Sequence, residues 1–121
     1  MSRALQVGDV IEVTYPRRVS KGHEQEVRRP AIVIGIPEKV GKLRHPLVIT
    51  IPVTTSIGDW ANEKKIYITL NKGEGSLLEN SVVLTDQIVS TDISRITGLF
   101  GTLSENRIKF IKEILKQVLE L

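Results

Sequence analysis

Short runs of apolar and β-branched residues alternate with polar stretches that contain glycine and proline along most of the chain. Residues 10–15 alternate partially between apolar and polar, and the almost continuous apolar run over 30–36 is typical of a central strand buried on both faces. Pro52 cannot donate a ladder hydrogen bond, so it predicts a bulge or an edge position near the end of its strand. The pattern predicts further strands over 47–54, 66–70, 81–88 and 96–103, with polar loops over 16–29, 37–46 and 55–65.

The last part of the chain has a different period. Ser104 is a good N-cap residue, and Glu105 favours the positive end of a helix dipole. Apolar residues then recur at helical spacing, at Ile108, Ile111, Leu115 and Val118. We therefore expect one C-terminal helix over about 104–120, docked on strands that lie between about residues 9 and 100. A single domain over 1–121 is predicted, mainly β (α+β), with a small antiparallel β-barrel.

The composition excludes several kinds of site. The 121 residues include no Cys and two His, which excludes disulfides, thiolate metal sites, cysteine nucleophiles and a three-histidine metal site. No apolar run approaches the roughly 18 residues of a membrane helix. The first residues lack the apolar segment of a signal peptide, so we expect a cytoplasmic protein with no membrane partner.

Positive charge is concentrated in the first part of the chain. Residues 1–50 contain nine Lys and Arg against five acidic residues, and the whole chain has a net charge of +3. Basic loops beside uncharged strands suit a polyanion such as RNA, although a solvated surface explains the same charge.

Three short segments carry candidate chemistry. Residues 22–30 end where a buried strand begins, and a guanidinium fixed at that junction, on Arg29, can fork onto phosphate oxygens. Residues 54–56 place three hydroxyls at a strand end, where they can donate to a phosphate. Asp86 and Gln87 place an acid and an amide after an apolar strand. Turn chemistry or surface ion pairs explain each segment equally well when it is taken alone.

Taken together and in order, these segments resemble the MazF/PemK family of toxins from bacterial type II toxin–antitoxin systems. The run Gly22-His23-Glu24-Gln25, followed by Arg29-Pro30, is similar to the family's G-x-E-Q…R-P signature. The run over 51–55 is similar to the second block of the family, and Asp86-Gln87 to the third. The resemblance extends over nearly the whole chain. It implies the CcdB/MazF/PemK toxin fold, a small SH3-like barrel with a C-terminal helix.

The same resemblance implies an activity and partners. The family consists of sequence-specific, metal-independent endoribonucleases that act on single-stranded mRNA without a cofactor. The 2′-hydroxyl of the RNA is the expected nucleophile, giving a 2′,3′-cyclic phosphate and a 5′-hydroxyl. A homodimer and a cognate antitoxin that covers the site are expected as partners.

The resemblance also assigns roles by position. Arg29 and Thr54 match the catalytic pair of the family, and His23 and Asp86 match residues with catalytic or supporting roles in the PemK/Kid branch. That branch carries an arginine two residues before the aspartate, where this chain has Leu84, so Arg29 is favoured as the proton donor. The general base stays open among His23, Glu24 and Asp86. RNA contacts are expected from Glu24, Gln25, Arg28, Thr55, Ser56, Trp60 and Gln87.

Some alternatives stay open at this point. Trp60 is either a stacking platform for a base or a core residue. A toxin of the same fold that inhibits a protein such as gyrase would need an aromatic and acidic C-terminal tail, which residues 118–121 do not offer. A non-catalytic RNA-binding module and an interaction domain without a nucleic-acid role are the other two alternatives.

Overall fold

Seven strands and one long helix make up the fold in a computed structural model that describes residues 3–18 and 24–121, with side chains described except for 16–18 and 24–26. The strands are β1 Asp9–Arg18, β2 Glu24–Gly35, β3 Leu47–Thr54, β4 Ile68–Leu70, β5 Ser81–Val83, β6 Val89–Asp92 and β7 Ile96–Thr102, and the helix is α1 Glu105–Val118. The mainly β class with a C-terminal helix is confirmed.

The strands form one antiparallel sheet in the order β4-β5-β3-β2-β1-β7, and β6 also pairs with β3. Strand β3 is bound to three others. Strand β2 pairs with one edge of it, while β6 pairs with its first half, over 47–50, and β5 with its end, over 53–54. The last two residues of β3, Val53 and Thr54, are therefore held by their pairing with β5.

Both faces of the central strands are buried. One face packs Val10, Ile32 and Ile51 against α1, and the other face packs Ile11, Val13, Ala31, Val33 and Val48. Because side chains on a strand alternate between faces, a strand with two buried faces is continuously apolar, as the run over 30–36 predicts.

Helix α1 begins at the predicted cap. The Ser104 hydroxyl accepts a hydrogen bond from the Arg107 backbone N–H at 3.3 Å, and Ile111, Ile114 and Leu115 are buried against the sheet. The Arg107 side chain binds Glu74 at 2.7 Å, which holds the pKa of that carboxyl below its usual value. The helix is thus held at its start by a cap and an ion pair, and along its length by apolar packing.

The predicted loop over 16–29 is wrong for most of its length. Strand β2 begins at Glu24, because residues 24–29 continue the backbone ladder with β1 from the pair Arg18–Glu24 to the pair Val13–Arg29. Backbone pairing with β1 supports this part of the strand, so it needs no apolar run. Arg29 consequently lies within a strand and not at the start of one.

The sequence predicts a strand over 81–88 that the polar residues 85–87 end or bend, and the observed strand is shorter than this. Strand β5 ends at Val83, and the Gln87 N–H donates to the Leu84 carbonyl at 2.9 Å in a turn. Strand β6, which follows, has mostly exposed residues, so no apolar pattern predicts it. Pro52 lies inside β3, between the residues paired with β6 and those paired with β5, and its carbonyl accepts from the Leu84 N–H at 3.0 Å.

Within residues 3–18 and 24–121, no helix combines the length and the apolar character that crossing a membrane requires.

Asp9 links the N-terminal segment to the sheet. Its carboxylate is 0% exposed and accepts bonds from the Arg3 guanidinium, the Thr102 hydroxyl and the Gln6 N–H. Burial by itself raises the pKa of Asp9, but these hydrogen bonds outweigh it, and the pKa lies below its ordinary value. The carboxylate therefore stabilises the fold above the unfolded-state pKa, and this contribution disappears as the pH falls through the folded-state pKa.

We expect Asp9→Asn to lower the free energy of unfolding by about 1–3 kcal/mol at neutral pH, because a charge-assisted network is replaced by neutral hydrogen bonds. Urea unfolding at several pH values measures the difference, which should shrink towards zero in acid. The exposed acid Asp59 supplies the control variant Asp59→Asn. An equal loss of stability at every pH would contradict the role of the Asp9 charge.

Candidate functional site

Arg29 and Thr54 lie on the same face of two neighbouring strands. Ala31 of β2 pairs with Pro52 of β3 in antiparallel register. This is the last pair of the ladder towards the end of β3, and Arg29 and Thr54 each lie two residues beyond it. Since side chains two apart point to the same face, the two predicted catalytic residues are brought together on one face of the sheet.

The middle of β2 and the end of β3 border a cavity of about 340 Å³, within the size range of pockets for small ligands. Its polar wall contains five of the residues singled out in the sequence, and its apolar wall comes from β3, β7 and the segment before β5. The lining residues are Glu12, Arg28, Arg29, Pro30, Val53, Thr54, Thr55, Ser56, Leu77, Leu78, Glu79, Ser81 and Phe100.

The Thr54 hydroxyl is oriented by the turn that follows β3. Its Oγ1 accepts a hydrogen bond from the Ser56 backbone N–H at 3.1 Å. A hydroxyl that already accepts from a backbone N–H still has its own proton to donate. The half-buried Thr54 lines the cavity and keeps a hydroxyl proton available for donation.

Two guanidiniums supply the positive charge of the cavity. Arg28 and Arg29 are exposed neighbours on β2, so their side chains leave opposite faces of the strand. The ion pairs among the described side chains are Arg3–Asp9 and Arg107–Glu74, and neither involves these two arginines. Because both residues are exposed, an anion in solution can approach their side chains.

Several lining residues escape the sequence analysis. Glu12 on β1 and Phe100 on β7 both line the cavity because these two strands pair with each other. Leu77, Leu78 and Glu79 enter because the segment before β5 turns over the end of β3. The alternation of β1 places Glu12 on the face of Val10, but only the long-range pairing shows that this face continues into the cavity.

Asp86 and Trp60 belong to a second group, away from the lining of the cavity. Val82 lies opposite Thr54, and Asp86 follows four residues later, past the end of β5 that is remote from Ser81. The Tyr67 hydroxyl donates to Asp86 Oδ2 at 2.6 Å, which raises the pKa of Tyr67 above its ordinary value. Trp60 packs edge-on against Tyr67, with ring centroids 4.9 Å apart, and is 41% exposed.

The remaining predicted residues are only partly placed. His23 lies outside the described residues. The backbones of Glu24 and Gln25 belong to the hairpin end of β2, and their side chains lie outside the description. Gln87 is exposed in the turn after Leu84 and does not line the cavity.

A larger cavity of about 670 Å³ is bordered by the N-terminal segment, the segment after β2 and the start of β7. Its wall contains Leu5, Ile36, Val48 and Ile96. None of the predicted site residues lines it, so the smaller cavity is the candidate functional site.

In the part of the chain that the structure describes, His, Asp and Glu side chains do not gather in groups of three or more that could hold a metal ion. The cavity offers guanidinium and hydroxyl donors, together with the carboxylates of Glu12 and Glu79.

Comparisons with known proteins agree with this architecture. The family model of PemK-like, MazF-like toxins of type II toxin–antitoxin systems matches residues 6–119. A comparison with curated proteins gave no match.

Several solved structures share the fold. A MazE–MazF structure (Form II) from Deinococcus radiodurans is 23% identical, with a TM-score of 0.73 over 99% of each chain. An endoribonuclease in complex with its cognate antitoxin from a mycobacterial species is 13% identical, with a TM-score of 0.68 over 98% of this chain and 97% of that one. The Mycobacterium tuberculosis toxin MazF-mt6 is 16% identical, with a TM-score of 0.61 over 90% of this chain and 97% of that one.

At these identities the solved structures establish the fold, while the family model covers nearly the whole sequence. The chain belongs to the family of PemK-like, MazF-like toxins of type II toxin–antitoxin systems.

Proposed function

We propose that this toxin is a sequence-specific, metal-independent endoribonuclease that cleaves single-stranded mRNA. The observation that carries the proposal is the placement of Arg29 and Thr54 on one face of adjacent strands, in the lining of one cavity. A cation beside a hydroxyl donor is suited to a phosphodiester, whose charge increases in the transition state of cleavage. The mycobacterial structure of the same fold, described as an endoribonuclease, supports this assignment.

RNA supplies its own nucleophile in this reaction. The 2′-hydroxyl loses its proton and attacks the adjacent phosphorus, and the bond to the leaving 5′-oxygen breaks as that oxygen takes up a proton. The products are a 2′,3′-cyclic phosphate and a 5′-hydroxyl. The bond changes and proton transfers balance without a metal or a cofactor.

Arg29 and Thr54 have different roles in the proposed reaction. Arg29 binds the non-bridging oxygens through its planar guanidinium. It also supplies the proton of the leaving group, because this chain has Leu84 where the PemK/Kid branch has a second arginine. Thr54 donates its hydroxyl proton to a non-bridging oxygen, while the Ser56 N–H holds the hydroxyl in place. The general base is proposed to be one of His23, Glu24 and Asp86. Of these, Asp86 is already the acceptor of the Tyr67 hydroxyl and lies outside the lining of the cavity.

The proposed partners follow from the same site. The cavity has room for about one nucleotide, whereas reading a sequence requires several, so a homodimer that extends the binding surface is proposed. A cognate antitoxin that covers the site is also proposed, supported by the antitoxin complex of the mycobacterial neighbour. Cytoplasmic mRNA is the proposed substrate.

Incubation of the purified protein with a mixed-sequence single-stranded RNA in excess EDTA tests the function. We expect cuts at a restricted set of sites, with cyclic phosphate and 5′-hydroxyl ends. A single 2′-deoxy substitution before the cut should abolish cleavage at that site only, because it removes the nucleophile. RNA that is bound but left intact would indicate a non-catalytic module, and cleavage that requires added metal would contradict the proposed chemistry.

A further inference from the structure

Glu12 is an unexpected residue in a cavity for a polyanion. It is half-buried on β1 and lines the same cavity as Arg28 and Arg29. A carboxylate repels phosphate, so it weakens binding unless it meets a hydrogen-bond donor. Its presence in the wall points to a contact with a part of the substrate other than the phosphate.

The carboxylate of Glu12 is held in place on one side. Its Oε1 accepts from the Thr97 hydroxyl at 2.8 Å, and the Thr97 hydroxyl also lies 3.1 Å from the Thr14 hydroxyl. Its Oε2 accepts no hydrogen bond from the residues that the structure describes. The neighbour directly opposite Glu12 on β7 is Gly98, which has no side chain to cover it. One carboxylate edge is thus fixed and uncovered.

The position of Glu12 separates it from the reacting atoms. Glu12 pairs with Pro30, so it shares a face with Arg28, whereas Arg29 pairs with Val13 on the other face. The phosphodiester bound by Arg29 and Thr54 therefore lies across the strand end from Glu12. This separation favours contact with a base over removal of the 2′-hydroxyl proton.

An apolar wall lies beside Glu12. Phe100 packs on the same face of the sheet, as part of the cluster that includes Val10, and it lines the cavity together with Leu77 and Leu78. Aromatic and apolar surfaces hold splayed bases of single-stranded RNA, and polar groups beside them read the Watson–Crick edge. The wall and the carboxylate together form a pocket for one base.

Hydrogen-bond chemistry selects which base fits. An ionised carboxylate only accepts hydrogen bonds, through two oxygens. Guanine carries two adjacent donors on its Watson–Crick edge, N1–H and the 2-amino group. Adenine and cytosine place a ring-nitrogen acceptor beside their amino group, and uracil places carbonyls on both sides of its N–H. We infer that Glu12 is a specificity-determining residue that reads a guanine next to the phosphodiester bound by Arg29 and Thr54.

This inference rests on the proposed function for its biological meaning, but binding tests it without cleavage. The probe is a fluorescein-labelled oligouridine whose 2′-hydroxyls are all replaced by 2′-methoxy groups, compared with the same strand carrying one guanine at each position in turn. Fluorescence anisotropy in EDTA measures affinity. For the wild-type protein we expect one guanine position to raise affinity about tenfold to a hundredfold over uridine.

The Glu12→Gln variant keeps the size of the side chain and an oxygen acceptor for Thr97 but loses the pair of acceptors. We expect it to bind the guanine and all-uridine strands with similar affinity, and to bind the all-uridine strand more tightly than wild type does. The control is Glu79→Gln, an exposed carboxylate at the rim of the same cavity, which should keep the guanine preference. Thermal unfolding of both variants checks that the fold is intact.

The outcomes separate the two proposals. A guanine preference that disappears in Glu12→Gln supports the inference, even if the protein cuts no RNA and the proposed activity fails. A guanine preference that survives in Glu12→Gln, or wild-type protein that binds the guanine and all-uridine strands equally well, overturns the inference and leaves the cleavage proposal standing. Cleavage-site mapping with Glu12→Gln provides the second readout, and an unchanged cut pattern would also overturn it.

Discussion

Arg29→Ala is expected to slow RNA cleavage about 10²–10³-fold at saturating enzyme, while leaving the protein folded. In the proposed reaction this guanidinium binds the phosphate oxygens, on which charge develops, and protonates the leaving oxygen, so its loss should have a large effect. Arg29 is exposed on β2, so its removal leaves no buried cavity and no buried partner among the described side chains. Single-turnover cleavage of a defined RNA gives the rate.

The neighbouring arginine is the matched control for this prediction. Arg28→Ala removes the same charge from the same cavity, but from the opposite face of the strand. It should weaken RNA binding and lower the salt dependence of the binding constant by the amount expected for about one phosphate contact. The cleavage rate at saturating enzyme should change little. Arg29→Lys should not restore the rate, because an ammonium lacks the planar fork. Equal loss of the saturated rate in Arg28→Ala and Arg29→Ala would show that charge alone matters.

Thr54→Val is expected to lower the cleavage rate about 10²-fold, because valine keeps the shape of threonine and removes the hydroxyl donor. The Ser56 N–H loses its side-chain acceptor in this variant, but Ser56 is exposed and water replaces the bond. Thr54→Ser keeps the donor and should retain most of the activity. The measurement is the same single-turnover rate.

A variant at the neighbouring threonine tests whether the cleavage rate depends on the position of the hydroxyl or only on the presence of a hydroxyl in the cavity. Thr55 lines the same cavity and is exposed, so Thr55→Val removes an equivalent group one residue away. We expect a much smaller effect on the saturated rate. If Thr54→Val cleaves RNA at the wild-type rate, the hydroxyl is structural and the proposed oxyanion contact does not exist.

Local patterns predict the parts of the fold that packing alone decides. The apolar run over 30–36 and the helical period after Ser104 each correspond to an observed element, because burial fixes which residues are apolar there. Residues 24–29 and 89–92 do not follow this rule. They are strands because their backbones pair with β1 and β3. Backbone pairing does not require a particular pattern of apolar side chains.

The candidate site likewise contains some residues that the sequence identifies and others that only the long-range strand pairing brings there. Arg29 and Thr54 are found from the motifs that resemble the family, and the structure brings them to one cavity. Glu12 and Phe100 carry no local signal, because their place in the cavity depends on the pairing of β1 with β7, at the far ends of the sequence. Trp60, which the sequence predicts as either a base-stacking residue or a core residue, packs edge-on against Tyr67 and is 41% exposed, while Phe100 is the aromatic residue that lines the cavity.

Strand β3 binds β2 on one edge and both β5 and β6 on the other, and it ends at Thr54. A substitution that shifts this strand disturbs most of the sheet at once, so its backbone has little freedom to change while the protein remains folded. The turns and strand ends that complete the cavity wall are tied to fewer neighbours. Under the proposed function, related toxins would therefore differ in the RNA sequences that they recognise by exchanging wall residues, while the geometry around the reacting phosphate would stay the same.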